Sequence, residues 1–217
     1  MRYKAVVFDL DGTLLDTLDD IGDSANRVLA QRGFPIHSMD DYSQFVGDGA
    51  RELVIRSLPE NKRDRETVNA CFEEFRMVYR ENWQVKTRLY DGIREMLDAL
   101  QKRGIKMAVL SNKPHEFAVQ CVEAFLSDWR FEVVFGERAS VPRKPDPAGA
   151  LEIIDHLKCP AASFVYLGDT GVDMETAARA GMFPVGVLWG FRKKEELLDH
   201  GAKRLIDRPV DLLECWE

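Results

Sequence analysis

The stretch that decides the fold covers residues 5–13 and reads AVVFDLDGT. Its first four residues are apolar without polar alternation, which is typical of a strand covered on both faces of a parallel sheet. Asp9 and Asp11 follow where that strand would end. Two like charges so close repel each other unless a cation neutralises them, so the pair indicates a functional site. Taken alone, the same residues also fit an ordinary Asp-Gly turn at a strand end.

Four later runs share this apolar character, and they lie at residues 107–110, 131–135, 164–167 and 184–188. Stretches with helical apolar spacing separate them, at residues 93–100, 117–125, 148–157 and 173–180. Gly104 and Gly181 supply stop signals for two of these helices. Strands that alternate with helices predict an α/β fold with a doubly wound parallel sheet.

The interval between the first two runs is far longer than one crossover needs, and it reads as helices. Helical patterns occur at residues 21–31, 40–45, 50–58 and 66–83. We expect a core at 1–15, an inserted α-helical cap at 16–85 and the rest of the core at 86–217. Because the insertion leaves just after the first strand, it should lie over the strand ends where open α/β sheets bind ligands.

Composition narrows the class of protein and its location. The chain has 217 residues and a formal net charge of −7, which disfavours binding to nucleic acid or to an anionic membrane. Its four cysteines form no Cys-x-x-Cys pair, which favours reduced thiols. The first apolar stretch is too short for a signal peptide, and no run reaches membrane-spanning length. We therefore expect a cytoplasmic protein, and the sequence leaves open whether it is a monomer or a homodimer.

A second pair of acids follows the run at 164–167. Asp169 comes at the strand end, and Asp173 lies four residues on, in the first turn of the next helix. If the two strands are neighbours, Asp9, Asp11 and these two acids converge. Four carboxylates around one point require a hard cation with oxygen ligands, and Mg²⁺ fits best. For Asp173 alone, a helix N-terminal acid is an equally good interpretation.

Two further segments have features of a phosphate site. Ser111 and Asn112 follow the run at 107–110, where a hydroxyl and free amides before a helix would bind an anion. An ordinary helix N-cap would use the same residue types. Lys144 lies between Arg143 and Pro145, in a stiff segment that could direct one ammonium inward. A surface basic pair is the alternative.

These signals occur in a fixed order: Asp-x-Asp-Gly-Thr at 9–13, Ser111, Lys144 and Gly-Asp-x-x-x-Asp at 168–173. That order resembles the haloacid dehalogenase-like hydrolase superfamily. The resemblance implies a Rossmann-like core, a Mg²⁺ cofactor and an aspartyl-phosphate intermediate, with Asp9 as nucleophile and Asp11 as general acid/base. It makes metal ligands of Asp9, Asp11 through its main-chain carbonyl, Asp169 and Asp173. It assigns the phosphoryl group to Ser111, Lys144 and the Asn112 amide, and we expect the Thr13 hydroxyl to help.

Asp11, two residues after the implied nucleophile, also distinguishes the phosphatases of the superfamily from its dehalogenases. Dehalogenases of the superfamily lack it, because a halide leaving group needs no proton. Asp11 therefore favours phosphate esters, whose leaving alkoxide must be protonated.

The cap segment FVGDGAREL, at residues 45–53, resembles bacterial phosphoglycolate phosphatases, as does PVGVLWGF at 184–191. The implied substrate is a small phosphorylated metabolite, with 2-phosphoglycolate as the best guess. Gly47 and Gly49 would let a cap loop fold close over it. Arg51 could bind its carboxylate through two hydrogen bonds, although an exposed helical arginine explains the residue equally well.

Two other functions remain open at this point. A β-phosphoglucomutase-like phosphotransferase would share every core residue and differ in shielding the phosphorylated aspartate from water. A non-catalytic binding protein on the same fold is less compatible with the intact set of Asp9, Asp11, Lys144 and Asp169.

Overall fold

The computed structural model describes residues 3–216. In chain order its strands are β1 (Ala5–Phe8), β2 (Leu15–Asp16), β3 (Arg88–Leu89), β4 (Lys106–Pro114), β5 (Phe131–Glu137), β6 (Phe164–Gly168), β7 (Phe183–Val187) and β8 (Arg204–Ile206). Its α-helices are α1 (Leu18–Gln31), α2 (Met39–Phe45), α3 (Ala50–Ser57), α4 (Arg65–Asn82), α5 (Ile93–Lys102), α6 (His115–Phe125), α7 (Ala148–Leu157), α8 (Gly171–Arg179) and α9 (Lys194–Asp199). Short 3₁₀ segments cover Glu60–Lys62, Ala161–Ser163 and Pro209–Trp216.

The main sheet has six strands in the order β5-β4-β1-β6-β7-β8, and every pairing in it is parallel. β1 is central, with Val6 opposite Met107 of β4 on one side and Val165 of β6 on the other. The α/β doubly wound fold is therefore confirmed, and β1 and β6 are indeed neighbours. β4 is longer than predicted, since it continues through residues 111–114.

Helices cover both faces of this sheet, which explains why its strands lack polar alternation. Val6 and Phe8 belong to one apolar cluster, which includes the inner faces of α5 and α6. Ala5 and Val7 belong to a second cluster, which includes α7 and Ala177 of α8. Consecutive residues of β1 thus face opposite layers, and all four are fully buried.

The predicted insertion is helical and contains α1 to α4, between β2 and β3. β2 and β3 pair antiparallel, with Leu15 opposite Leu89, so the outgoing and returning segments lie side by side. Asp20 of α1 fixes the return, because its buried carboxylate accepts hydrogen bonds from the backbone amides of Lys86 and Thr87. The cap limits at residues 16 and 85 stay a prediction.

The insertion lies over the carboxyl edge of the sheet, where side chains of the core donate hydrogen bonds to backbone carbonyls of the insertion. Asn112 Nδ2 donates to Gly47 O at 3.0 Å, and Arg143 NH1 donates to Asp48 O at 2.7 Å. Arg192 NH2 donates to Val46 O at 2.7 Å. Side chains from three separate core segments therefore hold the loop between α2 and α3 over the strand ends.

The cysteines at positions 71, 121, 159 and 215 are free thiols. Among residues 3–216, no helix is both long and apolar enough to cross a membrane.

Candidate active site

Three of the four predicted acids meet at the carboxyl edge of the sheet. Asp9 follows β1, Asp169 follows β6, and Asp173 lies in the first turn of α8. One carboxylate oxygen of each lies within 4.8 Å of the others. Asp9 is 6% exposed, and the other two are fully buried. The neighbouring positions of β1 and β6 produce this cluster.

Asp173 also has the alternative role considered for it. Thr170 is the N-cap of α8, and its hydroxyl and amide both donate to Asp173 Oδ2. The other oxygen, Oδ1, accepts a hydrogen bond of 2.7 Å from Lys144. Capping and site formation are compatible because one oxygen serves each.

The electrostatics of this cluster fit a divalent cation. Burial and, to a lesser extent, the nearby Asp173 raise the pKa of Asp9 to about 7, against the lowering effect of Lys144. Burial, Asp173 and Asp9 raise the pKa of Asp169 well above its usual value. Asp9 Oδ1 is buried, and its polar neighbour in the described part of the chain is Lys144 Nζ at 3.0 Å. Three buried carboxylates against one nearby ammonium suit a hard cation such as Mg²⁺, which Asp9, Asp169 and Asp173 would hold.

Lys144 is the ammonium beside these acids. Its Nζ lies 3.0 Å from Asp9 Oδ1, and the residue is 6% exposed. Burial lowers the pKa of Lys144, but Asp173 and Asp9 outweigh that effect and raise it well above the usual value, so the side chain stays charged. Lys144 therefore points inward, whereas Arg143 turns to the cap carbonyl of Asp48.

Two closely packed glycines and Thr13 fix the Asp169 carboxylate. A Cβ on Gly12, whose φ is +82°, would lie 2.3 Å from Asp169 Oδ2, and one on Gly190 would lie 2.2 Å from Asp169 Cβ. Thr13 Oγ1 donates to Asp169 Oδ1 at 3.1 Å. Thr13 was expected to contact phosphate, but it is fully buried and its hydroxyl faces Asp169. The Thr13 hydroxyl therefore helps to hold Asp169, and its expected contact with phosphate stays a prediction.

Ser111 and Asn112 do not cap the following helix. They lie within β4, and the N-cap of α6 is Pro114, without a side-chain cap. Asn112 instead fixes the Lys144 backbone, since its Oδ1 accepts from Lys144 N at 3.0 Å and its Nδ2 donates to Lys144 O at 3.1 Å. Ser111 and Asn112 both line the same cavity as Asp9, where they can face a phosphoryl group.

The Asp11 carboxylate is not part of the acidic cluster. It lies beside Lys113, whose Nζ is 3.0 Å from Asp11 Oδ1 and 3.2 Å from Oδ2. The expected meeting of four carboxylates therefore reduces to three, because a buried lysine holds the fourth. The predicted metal contact of the Asp11 main-chain carbonyl stays a prediction. Sequence reasoning missed Lys113, although a lysine directly after Ser111 and Asn112 at a strand end was a usable signal.

A cavity of about 630 Å³, including the space open to solvent, lies between the insertion and these strand ends. The core contributes its polar residues Asp9, Asp11, Ser111, Asn112 and Lys113. The insertion contributes mainly apolar or small residues, among them Ile21, Val46, Gly47, Gly49, Leu53, Phe75 and Tyr79. Gly47 and Gly49 have φ of +124° and +92°, so the loop over the site uses conformations that favour glycine.

Arg51 lies outside this lining. Its NH2 donates to Asn69 Oδ1 at 2.6 Å, and its guanidinium carbon is 5.7 Å from the centre of the Phe72 ring. The cations that line the cavity are Lys113 and Arg76, the latter 3.0 Å from Glu116. Arg51 is therefore a partly exposed arginine of α3 that contacts α4, and its expected contact with a substrate carboxylate stays a prediction.

Comparison with known proteins places this site in a family. A family model described as haloacid dehalogenase-like hydrolase matches residues 6–187. The chain belongs to the haloacid dehalogenase-like hydrolase family. Its residues at 9–13, 111, 144 and 168–173 thus occupy one edge of a fold that the family shares.

Several relatives extend over nearly the whole chain. The phosphoglycolate phosphatase of Aquifex aeolicus is 30% identical over 214 residues, covering 99% of this chain and 97% of its own. That of Xanthomonas campestris pv. campestris is 32% identical over 219 residues, covering 100% and 97%. A crystal structure from Lactobacillus delbrueckii subsp. bulgaricus, named provisionally as a phosphoglycolate phosphatase, has a TM-score of 0.92, 32% identity, and coverage of 99% and 98%. Together with the family, these relatives identify the chain as a phosphatase.

Proposed function

We propose that this phosphatase hydrolyses a small phosphorylated metabolite, with 2-phosphoglycolate as the best candidate, through a phosphorylated Asp9 and with Mg²⁺ as cofactor. The observation that carries the proposal is the position of Asp9. Its carboxylate lines the cavity, lies 3.0 Å from Lys144 Nζ and belongs to a buried group of three acids. The names of the relatives support the choice of substrate.

In the first step, an Asp9 oxygen attacks phosphorus while the bond from phosphorus to the leaving oxygen breaks. Asp11 gives its proton to that oxygen, so an alcohol leaves. Lys144 and Ser111 face the phosphoryl oxygens and reduce the repulsion between the two anions. When bound, Mg²⁺ would supply further neutralisation of this charge.

In the second step, Asp11 removes a proton from water, and the water oxygen attacks the phosphorus carried by Asp9. The Asp9–phosphorus bond breaks, which returns the free carboxylate and inorganic phosphate. Asp11 ends the cycle protonated, as it began. The loop between α2 and α3, which Asn112 holds through Gly47 O, would exclude bulk water during the first step.

The cavity agrees with a small substrate that carries a second polar group. Its core side is polar and includes the ammonium of Lys113, whereas its cap side is largely apolar. A phosphoryl group beside Asp9 would leave room for a short remainder whose polar group faces the core side of the cavity. A cytoplasmic location and a monomeric or homodimeric state remain part of the proposal. The formal net charge of −7 supports only the further expectation that nucleic acid and anionic membranes are not partners.

The test is a panel of phosphate esters assayed for inorganic phosphate with Mg²⁺ present. We expect the highest kcat/KM with 2-phosphoglycolate, a lower value with β-glycerol phosphate, and slow release from glucose 1-phosphate. Formation of glucose 6-phosphate from glucose 1-phosphate and a bisphosphate primer would overturn hydrolysis in favour of a phosphotransferase. A higher kcat/KM with another ester would overturn the substrate but leave the reaction intact.

A further inference from the structure

Lys113 and Tyr79 have no role in the proposed mechanism, yet together they connect the insertion to Asp11, the predicted acid/base. Lys113 lies on β4, and Tyr79 lies on α4 of the insertion. Lys113 Nζ donates to Tyr79 OH at 2.7 Å and to both carboxylate oxygens of Asp11 at 3.0 and 3.2 Å. One buried ammonium therefore joins a residue of the cap to the carboxylate that handles protons.

We propose that Lys113 and Tyr79 are positioning residues that hold the Asp11 carboxylate in its proton-transfer orientation, so that docking of the insertion completes the acid/base. This inference rests on the proposed function and adds two residues to the same site. In this proposal, neither Lys113 nor Tyr79 contacts the reacting atoms. Both act through Asp11.

The contacts of Lys113 to Asp11 fix the orientation of the Asp11 carboxylate as well as its position. A carboxylate on a short side chain can rotate, and a general acid must keep one oxygen within hydrogen-bond reach of the leaving group. Contact of one ammonium with both oxygens restricts the plane of the carboxylate. The Lys113 side chain is 3% exposed, compared with 12% for Asp11, so the lysine is the more enclosed partner.

Tyr79 is rigid enough to fix the lysine. Its ring stacks on Phe75 at 5.6 Å and packs edge-on against Phe117 at 5.0 Å, and the residue is 3% exposed. Burial raises the pKa of Tyr79 above its usual value, so it remains a neutral hydroxyl. Because Phe117 belongs to α6 of the core, the Tyr79 ring itself packs across the boundary between insertion and core.

Leaving-group dependence distinguishes this role from a structural one. An alkyl phosphate such as β-glycerol phosphate needs a proton on its leaving oxygen, whereas p-nitrophenyl phosphate releases a stable anion. A misplaced Asp11 should therefore slow the first turnover of the alkyl ester far more than that of the aryl ester. Asp11→Asn gives the reference pattern for complete loss of the acid.

The experiment measures single-turnover rates for both esters with Lys113→Met and Tyr79→Phe. We expect Lys113→Met to lose about 100-fold on β-glycerol phosphate and less than about tenfold on p-nitrophenyl phosphate. Tyr79→Phe, which keeps the ring and its packing, should lose about 3- to 10-fold in the same direction. Tyr42→Phe is the matched control, because it also removes a buried cap hydroxyl, one that donates to Asn26 at 2.8 Å. It should leave the ratio between the two esters unchanged.

Two results would overturn the inference. Equal losses on both esters would make Lys113 and Tyr79 structural residues only. Unchanged single-turnover rates on both esters, with a higher steady-state KM of Lys113→Met for 2-phosphoglycolate, would mean that Lys113 binds the substrate carboxylate instead of positioning Asp11. Thermal denaturation of each variant shows whether it is folded. If Lys113→Met does not fold, Tyr79→Phe alone tests whether the pair positions Asp11. The proposed function is judged separately, since it requires only that the wild-type protein hydrolyse these esters and that Asp9→Asn not do so.

Discussion

Removal of the Asp20 carboxylate should loosen the insertion from the core at the point where the chain returns. Asp20 is 3% exposed and accepts hydrogen bonds from Lys86 N, Thr87 N and Thr87 Oγ1, the last two at 2.8 Å. Asp20→Ala leaves three donors without this acceptor. At about 1 kcal/mol for each, the free energy of unfolding should fall by about 3 kcal/mol. For a chain of 217 residues, that corresponds to a Tm lower by roughly 6 to 12 °C.

The neighbouring residue Asp23 provides the control. Its carboxylate contacts the same segment, 2.8 Å from Lys86 Nζ, but both side chains are about half exposed. Asp23→Ala should therefore cost about 0 to 1 kcal/mol. Urea denaturation followed by circular dichroism gives both values. A loss below about 1 kcal/mol for Asp20→Ala, or equal losses for the two variants, would refute the reasoning that buried backbone donors make the difference.

Four further predictions address the site. Asp9→Asn should lower kcat by several orders of magnitude with an unchanged circular dichroism spectrum, because an amide does not attack phosphorus; substantial Mg²⁺-dependent turnover would contradict its role as nucleophile. EDTA should abolish phosphate release, Mg²⁺ should restore it and Ca²⁺ should inhibit, so full activity in EDTA after dialysis would argue against a metal site. Gly12→Ala should reduce kcat by about 100-fold, because the added Cβ would lie 2.3 Å from Asp169 Oδ2. Gly33 is the control: its φ is similar, but a Cβ there would have no atom within 4 Å, so Gly33→Ala should lower only Tm. Arg51→Ala should change kcat/KM for 2-phosphoglycolate by less than about twofold if the observed contacts hold; the carboxylate contact expected from the sequence would give about 30-fold or more, with p-nitrophenyl phosphate unaffected.

The sequence predicted most of the core because its strands are buried on both faces. Runs without polar alternation have one stable environment, and the predicted β1 agrees with the structure at both ends. β8 escaped prediction because it has only three residues, which is too short for a pattern. The pair of β2 and β3 has two residues each and depends on a contact between positions 15 and 89, which no local signal contains.

For the site, sequence placed residues at strand ends but could not give side-chain directions. Asp9 and Asp169 converge because parallel neighbours end at the same edge, which topology alone dictates. Asp11 turns to Lys113 and Thr13 turns to Asp169, because buried charges and hydroxyls take the nearest available partner. Arg51 was a candidate because of its position near two glycines, yet a guanidinium on α3 reaches Asn69 of α4 across the helix pair.

Asn112 contacts both the cap loop and Lys144, so the attachment of that loop and the position of Lys144 should not vary independently. Its amide nitrogen donates both to Gly47 O in the cap loop and to Lys144 O, while its amide oxygen accepts from Lys144 N. A shift of the cap loop therefore acts on the same side chain that fixes the Lys144 backbone, and Lys144 Nζ in turn lies against Asp9. Lys113 makes a second such connection, from Tyr79 to Asp11. Asp9 and Asp11, the proposed nucleophile and acid/base, are thus each linked to the insertion through one polar side chain of β4. Changes in the cap should for that reason alter kcat as well as KM, even where the altered residue never touches the substrate.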